Sequence, residues 1–180
     1  VKGIADKMAL DFTGIKMGDV NITNDPSRSA GRSAHDLVLG VENVKVQQGV
    51  SYELPVTAEN FSSIEGYQFT LHVDPSQVRN PNVKMAEALG LTEDNFGFER
   101  IAEGLVSTSW SAADAKQLDQ NEVLFTLVVE GVSETTISEA LAVNNKVTNA
   151  EAYTSSNELL GVALNFSSAT VDNNFALYQN

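Results

Sequence analysis

Two alternating patterns of apolar and polar side chains within residues 49–75 constrain the fold more than any other feature of the sequence. The apolar positions of the first pattern are Val50, Tyr52, Leu54 and Val56, and those of the second are Tyr67, Phe69, Leu71 and Val73. Side chains alternate between the two faces of a β-strand, so a period of two predicts one buried and one solvated face. The buried faces require further strands to cover them.

The remainder of the chain offers short strand patterns separated by turn signals. Further candidate strands lie at residues 37–46, 96–101, 105–110, 122–130, 136–143, 147–153 and 159–166. The first of these changes phase at Glu42–Asn43, which predicts a bulge or a bend. Residues 87–95 have room for one helical turn. About nine short strands without an amphipathic helix predict an all-β fold, an antiparallel β-sandwich rather than a parallel sheet.

The chain is strongly acidic, with 24 Asp and Glu side chains against 11 Lys and Arg and a formal net charge of -13. No basic stripe is available to release counterions from phosphates, which argues against nucleic-acid binding and against an anionic membrane surface. Such a charge favours solubility in a salty or extracellular medium, and cation binding is the alternative explanation.

Cysteine is absent, which excludes disulfides, thiolate metal sites and cysteine nucleophiles. No apolar run reaches the length of a membrane span. Val1 is not an initiator residue and no short hydrophobic leader region follows it. We therefore expect the chain to be an excised or processed piece of a longer protein.

Residues 1–34 differ in composition from the rest of the chain. Residues 8–20 are apolar, and their pattern leaves a short strand and a frayed helix equally open. Residues 21–33 are rich in Ser, Asn, Asp, Gly and Arg, which is typical of a linker. We expect an N-terminal arm and linker over residues 1–34, a sandwich over residues 35–170 and a C-terminal linker over residues 171–180.

The N-terminal arm has too much apolar surface for a solvated tail and is too short to bury that surface by itself. Its apolar side chains are Met8, Leu10, Phe12, Ile15, Met17 and Val20. We expect the arm to dock as an extended segment on a strand edge of a sandwich. Docking on another copy of the chain would produce self-association.

The sequence contains few of the residue groups that catalysis requires. The chain has two histidines, His35 and His72, and no recognisable pair of catalytic carboxylates or phosphate-binding glycine loop. His35 lies at the linker boundary, and His72 lies on the polar side of a strand, as an ordinary surface histidine would. We therefore expect a protein without enzymatic activity.

One segment partly matches a calcium loop. Asp19, Asn21 and Thr23 occupy loop positions one, three and five, where oxygen ligands are needed. Asn24 stands where the loop needs glycine, and Ala30 stands where it needs the closing carboxylate. Weak calcium binding and a polar linker turn both remain open, and we expect no other cofactor.

Three segments of the sandwich resemble the cohesin modules of bacterial extracellular assemblies. They are GVSYELPV with GYQFTLHVDPSQV, NEVLFTLVVEG, and LLGVALNFSSATV. The resemblance covers residues 37–170 and implies a nine-stranded jelly-roll sandwich that binds dockerin modules. The family shares ancestry with carbohydrate-binding sandwiches, which keeps polysaccharide open as a ligand.

The flanking segments add a context to this resemblance. FTGIKMGDVN is similar to the tail of the dockerin-like segments that precede such domains in secreted proteins of the Bacteroidetes. NNFALYQN is similar to the opening of a type IX secretion sorting domain, whose continuation is absent from the chain. The resemblance thus implies a secreted or cell-surface module.

A partner-binding face is predicted from side-chain alternation and from the resemblance. If Phe125 and Leu127 point inward, Leu124, Thr126 and Val128 point outward. In cohesins the corresponding strand and the QFTLHV strand lie in the sheet that receives dockerin. The resemblance therefore places Gln68, Thr70 and His72 beside Leu124, Thr126 and Val128. The alternative is that a loop or the N-terminal segment covers these side chains.

Trp110 is the single tryptophan and has two possible roles. It shares a strand face with Val106 and Thr108, which favours the sandwich core, whereas an exposed ring would suit a sugar. The function predicted from the sequence is an extracellular protein-binding or scaffolding module. A carbohydrate-binding module and a structural spacer domain are the alternatives.

Overall fold

The computed structural model describes residues 36–168, in which nearly all regular structure is β-strand. The strands are β1 (Leu37–Asn43), β2 (Lys45–Val46), β3 (Ser51–Ala58), β4 (Ile64–Val73), β5 (Val78–Met85), β6 (Phe96–Gly97), β7 (Leu105–Lys116), β8 (Val123–Gly131), β9 (Thr135–Thr136), β10 (Leu141–Asn144), β11 (Glu151–Thr154) and β12 (Leu159–Ser168). A single helical turn, α1 (Ile137–Ala140), lies between β9 and β10. The predictions for the arm, the C-terminal linker and the calcium ligands Asp19, Asn21 and Thr23 lie outside the described residues.

Ten of the strands form one curled sheet whose two halves face each other. The strand order is β5-β8-β3-β1-β12-β11-β4-β7-β6, and β10 pairs with β4. Strand β12 belongs to both halves, because its first residues pair with β11 and residues from Val162 onward pair with β1. The β1–β12 pair is parallel, and the other strand pairs of residues 36–168 are antiparallel. The predicted all-β sandwich is confirmed.

The core lies between the two halves and takes the inward-facing residues of each strand, as the alternation predicts. Trp110 is 7% exposed. Its ring stacks on Tyr67 at a centroid distance of 5.6 Å and lies 5.9 Å from Phe61. Its indole N–H donates to the carbonyl of Leu89 at 3.2 Å, which satisfies the one polar atom of the ring. Trp110 is therefore a core residue and is not available as a sugar platform.

Two strand boundaries near the start of the sandwich lie where the sequence pattern changes. Strand β1 ends at Asn43, at the predicted phase change, and β2 resumes at Lys45. Gly49, in the turn before β3, has a φ of 77°, which glycine adopts without strain.

One predicted strand, residues 136–143, is wrong over its first half, where the chain forms α1. Thr136 precedes this helical turn and Glu139 is its third residue, the spacing of a capping box. The Thr136 N–H donates to Glu139 Oε2 at 3.3 Å. A polar pair able to satisfy the first backbone donors thus favours a helical turn over the strand that the apolar residues alone predict.

The segment between β5 and β7 contains little regular structure. A 3₁₀ turn at Glu93–Asn95 occupies the region predicted to hold a helical turn. The strand predicted at residues 96–101 is limited to β6 and is followed by a second 3₁₀ turn at Ile101–Glu103. None of the helices in residues 36–168 has the length and apolar character that crossing a membrane requires.

Candidate partner-binding face

Leu124 does not point outward as the alternation predicts. It is 0% exposed, like the inward-facing Phe125 that follows it. The pairing of β3 with β8 shifts register here, since Val56 lies opposite Phe125 whereas Thr57 lies opposite Val123. Leu124 is the extra residue of a β-bulge, and a bulge interrupts the alternation of side chains. It packs in the core, where a partner does not reach it.

Thr126 and Val128 lie on the opposite half of the sandwich from Gln68, Thr70 and His72. Strand β8 pairs with β3 and β5, whereas β4 pairs with β7, β10 and β11. The prediction that the two groups lie side by side is therefore wrong. Strand order depends on pairing between distant segments, which the alternation within a single strand does not encode.

The outer surface of β12, β11, β4 and β7 is named the open face. Its side chains form two rows that cross the four strands. The first row is Leu159, Tyr153, Gly66 and Ser111, and the second is Gly161, Glu151, Gln68 and Ser109. Leu159 is 60% exposed and Tyr153 is 43% exposed. The two adjoining positions of the first row are small, so this apolar pair borders a low, flat surface.

A hydrogen-bond network holds the polar part of the open face in place. The Tyr153 hydroxyl donates to Glu151 Oε2 at 2.8 Å, and Gln68 Nε2 donates to the same oxygen at 3.4 Å. Asn149 Nδ2 donates to Glu151 Oε1 at 3.1 Å. Partial burial, and then the Glu151 carboxylate, raise the pKa of Tyr153 to about 12. The Tyr153 hydroxyl and the Gln68 amide thus share one acceptor, Glu151 Oε2, which links β11 and β4 on this face.

Thr70 has a structural role beneath a loop. Its hydroxyl oxygen accepts from the N–H groups of Val147 and Thr148, at 3.2 and 3.0 Å. Thr70 is 0% exposed. The loop of residues 145–150 therefore covers Thr70, as the alternative interpretation of the sequence expects, whereas Gln68 stays part of the accessible surface.

His72 lies at the other end of the open face and is half-buried. It sits between Leu105 of β7 and Ala142 of β10. The adjacent turn is fixed by Asp74, whose carboxylate accepts from Ser76 Oγ at 2.7 Å and from Gln77 Nε2 at 2.8 Å. These hydrogen bonds, that of Ser76 first, hold the pKa of Asp74 below its ordinary value. His72 borders the open face but is not central to it.

The outer surface of β5, β8 and β3 on the other half is named the bridged face. Two ion pairs cross it, between Arg79 and Glu130 and between Lys84 and Glu53, each with a nitrogen–oxygen distance of 2.5 Å. Thr126 lies between Lys84 and Pro55 in the cross-strand register. The long side chains of this face are thus already paired with each other.

Within residues 36–168, no three His, Cys, Asp or Glu side chains are grouped so as to hold a metal ion. The sequence prediction missed Tyr153 and Leu159, the two apolar side chains of the open face. Ser109 precedes Trp110 in β7 and, by the alternation of a strand, points away from it. The register of the β11–β12 hairpin, which brings Tyr153 opposite Leu159, had no comparable signal.

No protein-family model matches the chain, and no curated protein matches it. Solved structures do match. A type I cohesin from Pseudobacteroides cellulosolvens has 16% identity and a TM-score of 0.51, covering 73% of this chain and 88% of its own. A type II cohesin from Bacteroides cellulosolvens has 9% identity and a TM-score of 0.52, covering 73% and 95%.

The sixth cohesin of scaffoldin B from Acetivibrio cellulolyticus, crystallised with a dockerin mutant, has 14% identity and a TM-score of 0.54. The match covers 74% of this chain and 98% of that one. Identities this low establish similarity of fold alone. Type I and type II cohesins both match, and the curled sheet of residues 36–168 has the jelly-roll sandwich fold of the cohesins.

Proposed function

We propose that this chain is a non-catalytic protein-binding module that receives a dockerin-like partner on the open face. The observation that carries the proposal is the pairing of Leu159 with Tyr153, both exposed, beside the small residues Gly66 and Ser111. The cohesin fold supports it, since the Acetivibrio neighbour was crystallised with a dockerin. The partner contacts also include Gln68, with His72 at the margin.

The chemistry of the open face suits a protein surface. Binding energy at interfaces concentrates in a few aromatic and apolar side chains that become fully desolvated, surrounded by polar contacts that exclude water. Leu159 and Tyr153 supply the apolar centre, and Gln68 with Glu151 supplies a polar margin that is already hydrogen-bonded. A fixed margin loses little side-chain entropy on binding.

Carbohydrate binding is less well supported. Stacking on a sugar requires an exposed aromatic ring; Trp110 is buried, and Tyr153 offers a single exposed ring whose hydroxyl is already bonded to Glu151. Oligosaccharides are therefore expected to give no binding heat in calorimetric titration of the full chain. A response comparable to that of a carbohydrate-binding module would contradict the protein-binding proposal.

The test is calorimetric titration of the full chain with a panel of purified dockerin modules encoded by the organism that produces it. We expect at least one module to bind in the micromolar range or tighter. Tyr153→Ala and Leu159→Ala are expected to weaken that binding by about tenfold or more each, or ~1.4 kcal/mol. Thr126→Ala is the matched control on the bridged face. Binding that is insensitive to both open-face changes, or absent from the whole panel, would reject the proposal.

An extracellular location is part of the same proposal. It rests on the resemblance of the flanking segments to secreted proteins and on the net charge of -13, which favours solubility in a salty or extracellular medium. An antibody against residues 36–168 is expected to label intact producing cells or the culture medium. Labelling only after lysis would contradict the assignment.

A further inference from the structure

We propose that Glu151 makes the open face selective for partners that present a lysine or arginine side chain beside an apolar one. The inference deepens the proposed function and rests on it for the identity of the surface. Three features of residues 36–168 carry it: the way in which the Glu151 carboxylate is held, the acidic side chain next to it, and the apolar pair that adjoins it.

Neutral groups hold the Glu151 carboxylate in one place. Its Oε1 accepts from Asn149 Nδ2 at 3.1 Å. Its Oε2 accepts from the Tyr153 hydroxyl at 2.8 Å and from Gln68 Nε2 at 3.4 Å. The ion pairs of residues 36–168 involve the carboxylates of other residues. Neutral donors fix a carboxylate without cancelling its charge, and a carboxylate offers about four acceptor sites, so Glu151 retains capacity for a further donor.

A second carboxylate lies beside Glu151. Gly161 is opposite Glu151 in the pairing of β11 with β12. A β-carbon on Gly161 would lie 2.7 Å from Asp36 Oδ1, so the Asp36 carboxylate occupies the place that a side chain at this position would take. Asn60 fixes the backbone there, since its Nδ2 donates to the Asp36 carbonyl at 2.7 Å. Like charges at neighbouring cross-strand positions repel each other, and a cation supplied by the partner would relieve that repulsion.

The surroundings favour a basic side chain over a metal ion. Calcium takes about six to eight oxygen ligands, and residues 36–168 hold no group of three acidic or histidine side chains that could coordinate a metal. Leu159 and Tyr153 are exposed on the same surface, in the row next to that of Glu151. The aliphatic stem of a lysine or arginine covers apolar surface while its charged head stays with a polar group. One such side chain would bury Leu159 and pair with Glu151 in a single contact.

Calorimetric titration of the full chain with the dockerin that binds it tests the role of this charge. Glu151→Gln keeps the length of the side chain and removes its charge, and we expect it to weaken binding by about tenfold. Glu134→Gln removes the same charge from the exposed turn after β8, and this matched control should change the affinity by less than about twofold.

The salt dependence of binding separates a role of the charge from a structural role of the hydrogen-bond network. Raising the salt concentration from about 0.1 M to about 1 M shortens the Debye length from about 10 Å to about 3 Å. Binding of the unchanged chain should therefore weaken more with salt than binding of Glu151→Gln. Suppose that Leu159→Ala and Tyr153→Ala weaken binding while Glu151→Gln changes neither the affinity nor its salt dependence. The proposed function would then stand and the inference would be wrong.

Double-mutant cycles identify the basic side chain of the partner. Glu151→Gln is combined with replacement of each lysine and arginine of the dockerin by methionine. At least one of these positions should couple to Glu151 by about fivefold or more, because the two side chains are in contact. Coupling to none of them would overturn the inference.

A peptide selection tests the inference even if no dockerin of the panel binds. A random dodecapeptide display library is selected on the immobilised full chain, and the enriched peptides are then measured on Glu151→Gln and Glu134→Gln. Peptides that lose affinity for Glu151→Gln alone are expected, and they should be enriched in lysine or arginine next to an aliphatic or aromatic residue. Peptides without that enrichment, or a selection in which no peptide distinguishes the two variants, would overturn the inference.

Discussion

The open face and the bridged face are outer surfaces of one sandwich, yet they differ in what their side chains do. On the bridged face, Arg79 pairs with Glu130 and Lys84 pairs with Glu53, so the longest side chains lie across the strands. On the open face, the positions between Leu159 and β7 are filled by Tyr153, small residues and one short hydrogen-bonded network.

This difference favours the open face as the proposed docking surface. Docking on the bridged face would require breaking or desolvating two ion pairs, and desolvation of charges is unfavourable. Docking on the open face removes apolar surface of Leu159 and Tyr153 from water, and apolar burial is favourable by roughly 25 cal/mol per Å². Side chains alternate along the strands of both halves, so alternation alone does not distinguish the open face from the bridged face.

The largest expected effect tests whether Leu124 of β8 packs in the core. Leu124→Ala should lower the free energy of unfolding by about 2–5 kcal/mol, because it leaves a cavity in the core. Val128→Ala, on the outer side of the same strand, should cost less than about 1 kcal/mol. Urea unfolding followed by the fluorescence of Trp110 measures both. Comparable losses would mean that Leu124 is exposed as the sequence alternation predicts.

The example of Leu124 also shows how far the sequence predicts the structure. Alternation identified β3, β4 and β8 and the inward orientation of Tyr67, Phe69 and Trp110, because buried strands impose a period of two. It failed at the bulge in β8, where one extra residue changes the alternation. The capping pair Thr136 and Glu139 specifies a helical turn that the apolar pattern of residues 136–143 does not indicate.

The candidate site was predictable only in part. Alternation along β4 places Gln68 and His72 on its outer side, and the resemblance to cohesins marks that strand as part of the partner face; both residues lie on or beside the open face. Tyr153 and Leu159 come together only through the register of the β11–β12 hairpin, and placing them next to β4 requires the order of strands in the sheet. Both are non-local properties, which local sequence patterns do not determine.

Introducing a bulky charged side chain on either face tests which of the two faces the partner contacts. Ser109→Arg should weaken partner binding by about a hundredfold, or ~2.7 kcal/mol. The longer side chain would protrude from the open face beside Gln68 and prevent close contact with the partner. Thr126→Arg should leave the affinity within about twofold. Calorimetric titration with the same dockerin measures both, and unfolding curves serve as the folding control. A larger loss from Thr126→Arg would assign the partner to the bridged face.

Thr70→Val tests whether the Thr70 hydroxyl holds the loop of residues 145–150 in place. The change leaves the N–H groups of Val147 and Thr148 without their acceptor, at an expected cost of about 2 kcal/mol in unfolding free energy. Thr126→Val is the matched control, expected to be nearly neutral. Hydrogen exchange at Val147 and Thr148 should accelerate in the Thr70 variant. Unchanged exchange would mean that the loop is held by other contacts.

Asp74→Asn probes the turn next to His72 and should show a pH dependence of defined sign. The pKa of Asp74 lies below its ordinary value of 3.8, so the carboxylate stabilises the fold above that pH, and this contribution is lost as the pH falls through the folded pKa. Asparagine does not titrate, and it replaces one of the two accepting oxygens with an NH₂ group, which cannot accept from Ser76 or Gln77. We expect a loss below about 1 kcal/mol at pH 7, since water screens this exposed carboxylate, and the loss should disappear in strong acid. A loss independent of pH would contradict the role of the carboxylate.

The smallest expected effect concerns the ion pair between Lys84 and Glu53. Both side chains are more than half exposed, at 58% and 59%, and exposed pairs contribute little because water and salt screen them. A double-mutant cycle of Lys84→Met and Glu53→Gln should give a coupling free energy below about 0.5 kcal/mol, falling further in high salt. Neither variant should change partner affinity by more than about twofold. A coupling several times larger would make the pair a stabilising element of the sandwich. Weaker partner binding in either variant would show that the bridged face takes part in recognition, which would remove the distinction between the two faces.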